Sequence, residues 1–198
     1  MSGIIAQNSG RHTGLVKASS GGGVWNLIET LTASSSATLD FTSGIDSTYD
    51  EYVFKFINLH PSAAEGDVSF QVDTGTNTNY NQTITSTYFY ASHSEADATN
   101  LTYYTSGDQA QGTAFQPIAQ DTVNDNDTAM VGTLHLFAPS DTTFVKHFIS
   151  EINSAQSART HHGFCAGYVN TTTALTRVQF KMSSGNIDAG TISLYGIS

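Results

Sequence analysis

Residues 49–61 read YDEYVFKFINLHP, the densest run of β-forming side chains in the chain. Successive side chains of a strand point to opposite faces, so Tyr52, Phe54 and Phe56 share one face while Val53, Ile57 and Leu59 share the other. Apolar groups on both faces predict a strand with material packed against each side, placed centrally in a sheet. Lys55 interrupts the second face, and Pro61, which has no N–H to offer a ladder, ends the strand. The face holding Val53, Lys55, Ile57 and Leu59 is expected to be covered by a loop, by an arm or by another subunit.

Outward from this spine the pattern stays β. Toward the N-terminus, residues 25–32 (WNLIETLT) alternate, Ser34-Ser35-Ser36 make a turn, and residues 37–41 (ATLDF) form a short strand. Toward the C-terminus, strands are predicted over residues 68–73 (VSFQVD), 84–91 (ITSTYFYA), 161–169 (HHGFCAGYV), 174–182 (ALTRVQFKM) and 190–197 (GTISLYGI), with an edge strand carrying Pro117 over 113–119. Residues 130–137 (MVGTLHLF) and 142–152 (TTFVKHFISEI), joined by Ala138-Pro139-Ser140-Asp141, give the clearest hairpin. Residues 92–112 are long and polar, either an exposed excursion or a short edge hairpin. No segment carries a helical stripe of three turns, and no fixed-period repeat is visible. About ten or eleven strands with frequent turns predict an all-β fold, an antiparallel β-sandwich of jelly-roll type over residues 25–198.

Composition narrows the function. Charged residues are 12% of the 198, against about 25% in ordinary globular domains, and Ser, Thr, Asn and Gly supply the polarity. This suits a β protein with a hydroxyl and amide surface that contacts neighbours. Seventeen acidic residues against seven basic ones argue against a nucleic-acid groove and against anionic membrane surfaces. No run of apolar residues is long enough for a membrane span, and the N-terminus lacks the basic and apolar regions of a secretory signal. The lone Cys165 has no internal disulfide partner, in keeping with a reducing cytosol.

Residues 1–24 stand apart. They contain Arg11, His12 and Lys17 and no acid, with the apolar pairs Ile4-Ile5 and Leu15-Val16 spaced by Gly and Ser. Too sparse for a core, they read as an extended N-terminal arm, hinged at Gly21-Gly22-Gly23, that docks on a partner surface. A disordered tail is the alternative reading of the same composition.

Candidate chemistry is thin. Asp121, Asn124, Asp125, Asn126 and Asp127 supply oxygen ligands that suit Ca²⁺, with Asp121, Asp125 and Asp127 as the carboxylates, but without EF-hand spacing; a solvated turn between strands is the favoured reading. His161, His162 and Cys165 offer nitrogen and sulfur, yet adjacent strand residues face opposite ways, so only one histidine can share a side with Cys165. His135 and His147 lie on the predicted hairpin and meet only if both face the same way. Of the acids Glu51, Glu65, Asp67, Glu95, Asp97 and Glu151, nothing selects a glycosidase pair. No nucleophile elbow, metalloprotease helix, P-loop or dinucleotide fingerprint is present, so the chain reads as no enzyme and as needing no cofactor. Tyr88, Tyr90, Tyr103 and Tyr104, with Asn100, are candidates for stacking on glycan or for core or subunit contact.

The opening MSGIIAQNSGRHTGLVKA, the stretch FTSGIDSTYDEYVFKFINLHP, the hairpin GTLHLFAPSDTTFVKHF and the ending FKMSSGNIDAGTISLYGIS together resemble a family of virion structural proteins of tailed bacteriophages, found in phages of aquatic bacteria. The resemblance spans most of the chain and is most specific at residues 190–196; residues 80–111 and 152–162 contribute least. It implies a non-enzymatic virion component, assembled in the host cytoplasm, bound through the arm to other capsid or tail proteins and forming a homo-oligomer, by analogy a trimer. Head decoration, head fibre, tail fibre and adaptor all remain open. The alternative is a receptor-binding module recognising a host surface glycan. The family offers no catalytic or metal residues to carry over.

Overall fold

The computed structural model describes residues 24–198. The arm residues Ile4, Ile5, Arg11, Leu15, Val16 and Lys17 and the glycine hinge lie outside them. Within them the chain is all-β: β1 (Trp25–Thr32), β2 (Leu39–Phe41), β3 (Glu51–Pro61), β4 (Gly66–Thr74), β5 (Ile84–Ser94), β6 (Thr99–Tyr103), β7 (Gln116–Thr122), β8 (Met130–Phe137), β9 (Lys146–Gln156), β10 (Arg159–Val169), β11 (Leu175–Met182) and β12 (Ile187–Ile197). They form an antiparallel β-sandwich, an eight-stranded sheet ordered β1-β12-β3-β8-β9-β10-β5-β6 facing a four-stranded sheet ordered β2-β11-β4-β7.

The pairing is nested. β1 pairs with β12, β2 with β11, β3 with β8 and β4 with β7, as in one long antiparallel ribbon folded over into two sheets. Two insertions, β5-β6 and β9-β10, do not cross to the small sheet but widen the large one beyond β8. The first resolves the stretch at residues 92–112. β5 runs on to Ser94, the chain turns through Asp97 at φ +64°, and β6 pairs back as the outermost strand, a short edge hairpin. The second is entered through the expected β8-β9 hairpin. Its second strand starts at Lys146 rather than at residue 142, because Asp141 Oδ1 accepts the N–H groups of Thr143 and Phe144 and holds the intervening chain as a loop.

The core between the sheets is aromatic. Phe180 of β11 lies edge-on to Phe41, Phe54 and Phe56, with ring centroids 5.2–6.1 Å apart, and Phe70 stands edge-on to Phe148 at 5.0 Å. Such geometry sets the positive edge of one ring against the negative face of the next. β3 is central, as its composition implies, with β12 and β8 on its two sides and Tyr52, Phe54 and Phe56 fully buried toward the small sheet. Its second face needs one correction. A bulge falls between Phe56 and Leu59, with Asn58 at φ +50°, and it turns Leu59 inward to join the core. On the partner strand Gly190, at φ +99°, fits against this bulge; a Cβ there would lie 2.3 Å from the carbonyl oxygen of Asn58. Val53 is buried on the outer face between its cross-strand neighbours Tyr195 and His135, while Lys55 and Ile57 stay exposed. Among the described residues no further layer covers them.

Where β7 faces the inserted strands, the interior turns polar. Gln116 is fully buried, its Oε1 accepting from Ser86 Oγ at 2.6 Å and its Nε2 donating to Gly107 O at 2.7 Å. Gln156 Nε2 donates to Gln120 O at 2.7 Å. Many of the amides are therefore not surface groups: they tie irregular chain to the sandwich and satisfy carbonyls that would otherwise be buried unpaired.

Candidate interaction surface

The inserted strands direct their chemistry-bearing residues to two sides. Inward point Tyr88, Tyr90, His161 and Cys165; outward point Phe89, Leu101, Tyr103, Ile149, His162 and Phe164. The inward set is closed. Tyr88 is fully buried, Tyr90 and Tyr104 are half-buried against it, and the Tyr104 ring sits edge-on to both at 5.7 and 6.2 Å. Of the four tyrosines only Tyr103 is exposed, on the opposite side of the sheet, its hydroxyl donating to Asp108 Oδ2 at 2.6 Å. The four thus form no common platform for a sugar; three are core residues.

His161 and Cys165 share the inner face of β10, as alternation requires, but four residues of strand separate them by about 13 Å. That is too far for a shared metal or for a thiol–imidazole pair. Burial holds the His161 imidazole neutral, lowering its pKa to about 4, and burial pushes the Cys165 thiol and the Tyr88 phenol well above their ordinary ranges. These groups are inert at neutral pH. His162, on the outer face, meets Glu151 at 3.0 Å.

The acidic loop separates its carboxylates. Asp121 stands near the end of β7 at φ +49°, its N–H donating to Asp67 Oδ1 and its own Oδ2 accepting from Gln120. Asp125 Oδ2 accepts from Ser157. Burial, with Asp121 close by, raises the pKa of Asp67. Among the described residues no three His, Cys, Asp or Glu side chains come together as a metal ion would need. Asp121 lies within β7 while Asp125 and Asp127 belong to the loop after it, and the three do not converge on a cation.

Glu51 and Glu151 share the outer face but belong to β3 and β9, with β8 between them. Glu51 lies opposite Phe137 and Glu151 opposite Thr133, which sets them about 16 Å apart from strand spacing and rise. Paired glycosidase carboxylates stand about 5–10 Å apart. Each has a histidine instead, Glu51 with His135 Nδ1 at 2.6 Å and Glu151 with His162. His135 and His147 do face the same way, and each lies beside an aromatic ring, Phe137 and Tyr168 respectively.

What the structure brings together is an apolar outer face on the large sheet. From β1 to β6 it carries Trp25 and Leu27, Ile57, Val131, Ile149, Phe89, Leu101 and Tyr103, all exposed. Phe89 stacks on Phe164 at 5.0 Å and Phe164 on His162 at 4.5 Å, while Trp25 sits edge-on to Tyr195 at 5.3 Å. A shallow groove of about 450 Å³ crosses it, lined by Phe137, His147, Ile149 and Tyr168. The sequence carries a signal for this face. In TYFYA, Phe89 takes the parity opposite to Tyr88 and Tyr90, and in HFISEI, Ile149 takes the parity opposite to Phe148 and Ile152, so both strands are apolar on two sides. Compared with protein-family models, with curated proteins and with solved structures, the chain matches none.

Proposed function

We propose that the chain is a non-enzymatic structural protein of a tailed-bacteriophage particle, held on the particle by its N-terminal arm and self-associating through the β-sandwich. The observation that carries this reading is the nested strand pairing. With the β5-β6 and β9-β10 insertions set aside, the chain alternates between sheets except where β4 pairs with β7 in the small one, and pairs as a folded-over ribbon, which supports a jelly roll, an architecture used by viral capsid and lectin domains.

The polarity of the molecule supports the same reading. Val24, where the arm leaves, is hydrogen-bonded to Ser198 at one end of the sandwich. The loops that follow β3, β5, β7, β9 and β11 gather at the other end, tied by Ser62 N–H to Asn186 O, Glu95 N–H to Ala158 O, and Asn124 to Ser62 O. That end carries Glu65, Asp67, Glu95, Asp97, Asp121, Asp125 and Asp127. All seventeen acids of the chain lie in residues 24–198, while the arm holds Arg11 and Lys17. The Val24 end carries fewer, Asp46, Asp50, Glu51, Asp73 and Asp141, so arm-down attachment turns the more acidic end outward and keeps the cationic segment against the particle.

Gold labelling of purified phage particles with an antibody raised against the sandwich tests the proposal. Discrete label on head or tail is expected, and it also separates decoration, fibre and adaptor. Particles that carry none, with the protein confined to the soluble lysate, overturn it.

A further inference from the structure

We infer that the outer face of the eight-stranded sheet is where one copy of this chain meets another. This rests on the self-association in the proposed function and names the surface that performs it.

Charge is the first argument. Of the seventeen Asp and Glu residues three stand on strands of this sheet on its outer side, Glu51, Glu151 and Asp188, each beside a histidine (His135, His162 and His60); Asp108 reaches the rim at Tyr103, and Lys55 lies on the same side. The rest of the acidity sits at the ends and on the small sheet. Two copies of so acidic a chain repel through most of their surface. The outer face carries few of these carboxylates for its area, so a second copy approaches there against less of that repulsion. A cationic partner would be drawn to the acidic end instead.

The second argument is area. Eight strands at about 4.8 Å spacing make the face about 34 Å wide, and strands of eight to eleven residues make it about 26–36 Å long, which gives roughly 1,000 Å². A stable interface needs about 800 Å² from each partner. Exposed apolar groups span that width rather than clustering at one corner: Trp25 on β1, Ile57 on β3, Val131 on β8, Ile149 on β9, Phe89 on β5 and Leu101 on β6. Monomeric proteins rarely leave so broad an apolar surface to water. Half of its strands belong to the insertions β9-β10 and β5-β6, whose inner residues Tyr88, Phe148 and Ile152 join the core while Ile149, Phe164 and Phe89 face outward. Ile149 is 53% exposed at the middle of the face, flanked by His135 and Ala166.

Light scattering of the full chain at micromolar concentration, beside the Ile149→Lys and Leu101→Lys variants, tests the inference. Each substitution adds a cation to an exposed position, and thermal melts report whether the fold is kept; Leu101, 73% exposed on an edge strand, loses no core contact. The wild-type chain is expected to run as an oligomer, and Ile149→Lys to fall to the mass of a single chain with its melt unchanged. If Ile149→Lys melts early, Leu101→Lys decides by the same shift in mass. A monomeric wild type, or folded variants of unchanged mass, overturn the inference. So does a loss of mass on deleting residues 1–23 that the lysine variants do not reproduce, since that assigns the contact to the arm. Particle labelling is read separately, so a labelled particle with unchanged variants leaves the virion reading standing and sinks only this one.

Discussion

His161 makes a residue-level prediction. Its imidazole is buried on the inner face of β10, and burial, followed by the nearby Arg159, lowers its pKa from 6.5 to about 4. The unfolded chain takes up a proton at this position from about pH 6.5 downward, while the native state refuses it until about pH 4. Stability is therefore full above pH 6.5 and is lost as pH falls through that window, by about 2–3 kcal/mol near pH 4.5. In His161→Gln the urea midpoint should fall less between pH 7 and pH 4.5 than in the wild type; parallel falls would show that another group carries the acid response. Gly190 is the second case. With φ at +99° and the Asn58 carbonyl where a Cβ would go, Gly190→Ala should destabilise by more than about 1 kcal/mol, read from the same denaturation curves. A neutral result would mean that the β3 bulge does not lock against β12 as described.

Among the elements, β11 and β3 meet at Phe180, whose ring is shared by Phe41, Phe54 and Phe56. Phe180→Ala should cost about 3–5 kcal/mol in equilibrium unfolding; a loss under about 1 kcal/mol would remove Phe180 from the centre of the core. Alternation makes most strands legible in sequence: β1 and β8 fall on their predicted residues, and the inner row Tyr52, Phe54 and Phe56 follows from parity alone. Two things escape it. Leu59 changes face because of a bulge set by Asn58 and by a glycine some 130 residues away, so no local window contains the cause. The partners of β2 and β7 are likewise set by long-range pairing, which short polar-flanked runs do not specify. The surface was half legible. Apolar residues on both parities of β5 and β9 mark two-sided strands, but only the sheet order shows that Phe89, Ile149 and Leu101 share one face while Tyr88, Tyr90 and Tyr104 turn inward.

For the whole molecule, three features describe the chain: apolar groups on the outer face of the large sheet, more carboxylates at the end away from Val24 than at the Val24 end, and an acid-free sequence before Val24. In the proposed function, self-association and attachment fall to different parts of the protein and are removed separately. The twelve strands and the aromatic core described for residues 24–198 are all retained in a chain lacking residues 1–23. The most direct measurement is the amount of this shortened chain, relative to full-length protein expressed equally, on phage particles purified from the same host. The account predicts that full-length protein co-purifies with the particles while the shortened chain, folded and soluble, falls to background. Incorporation of the shortened chain at normal occupancy would contradict it.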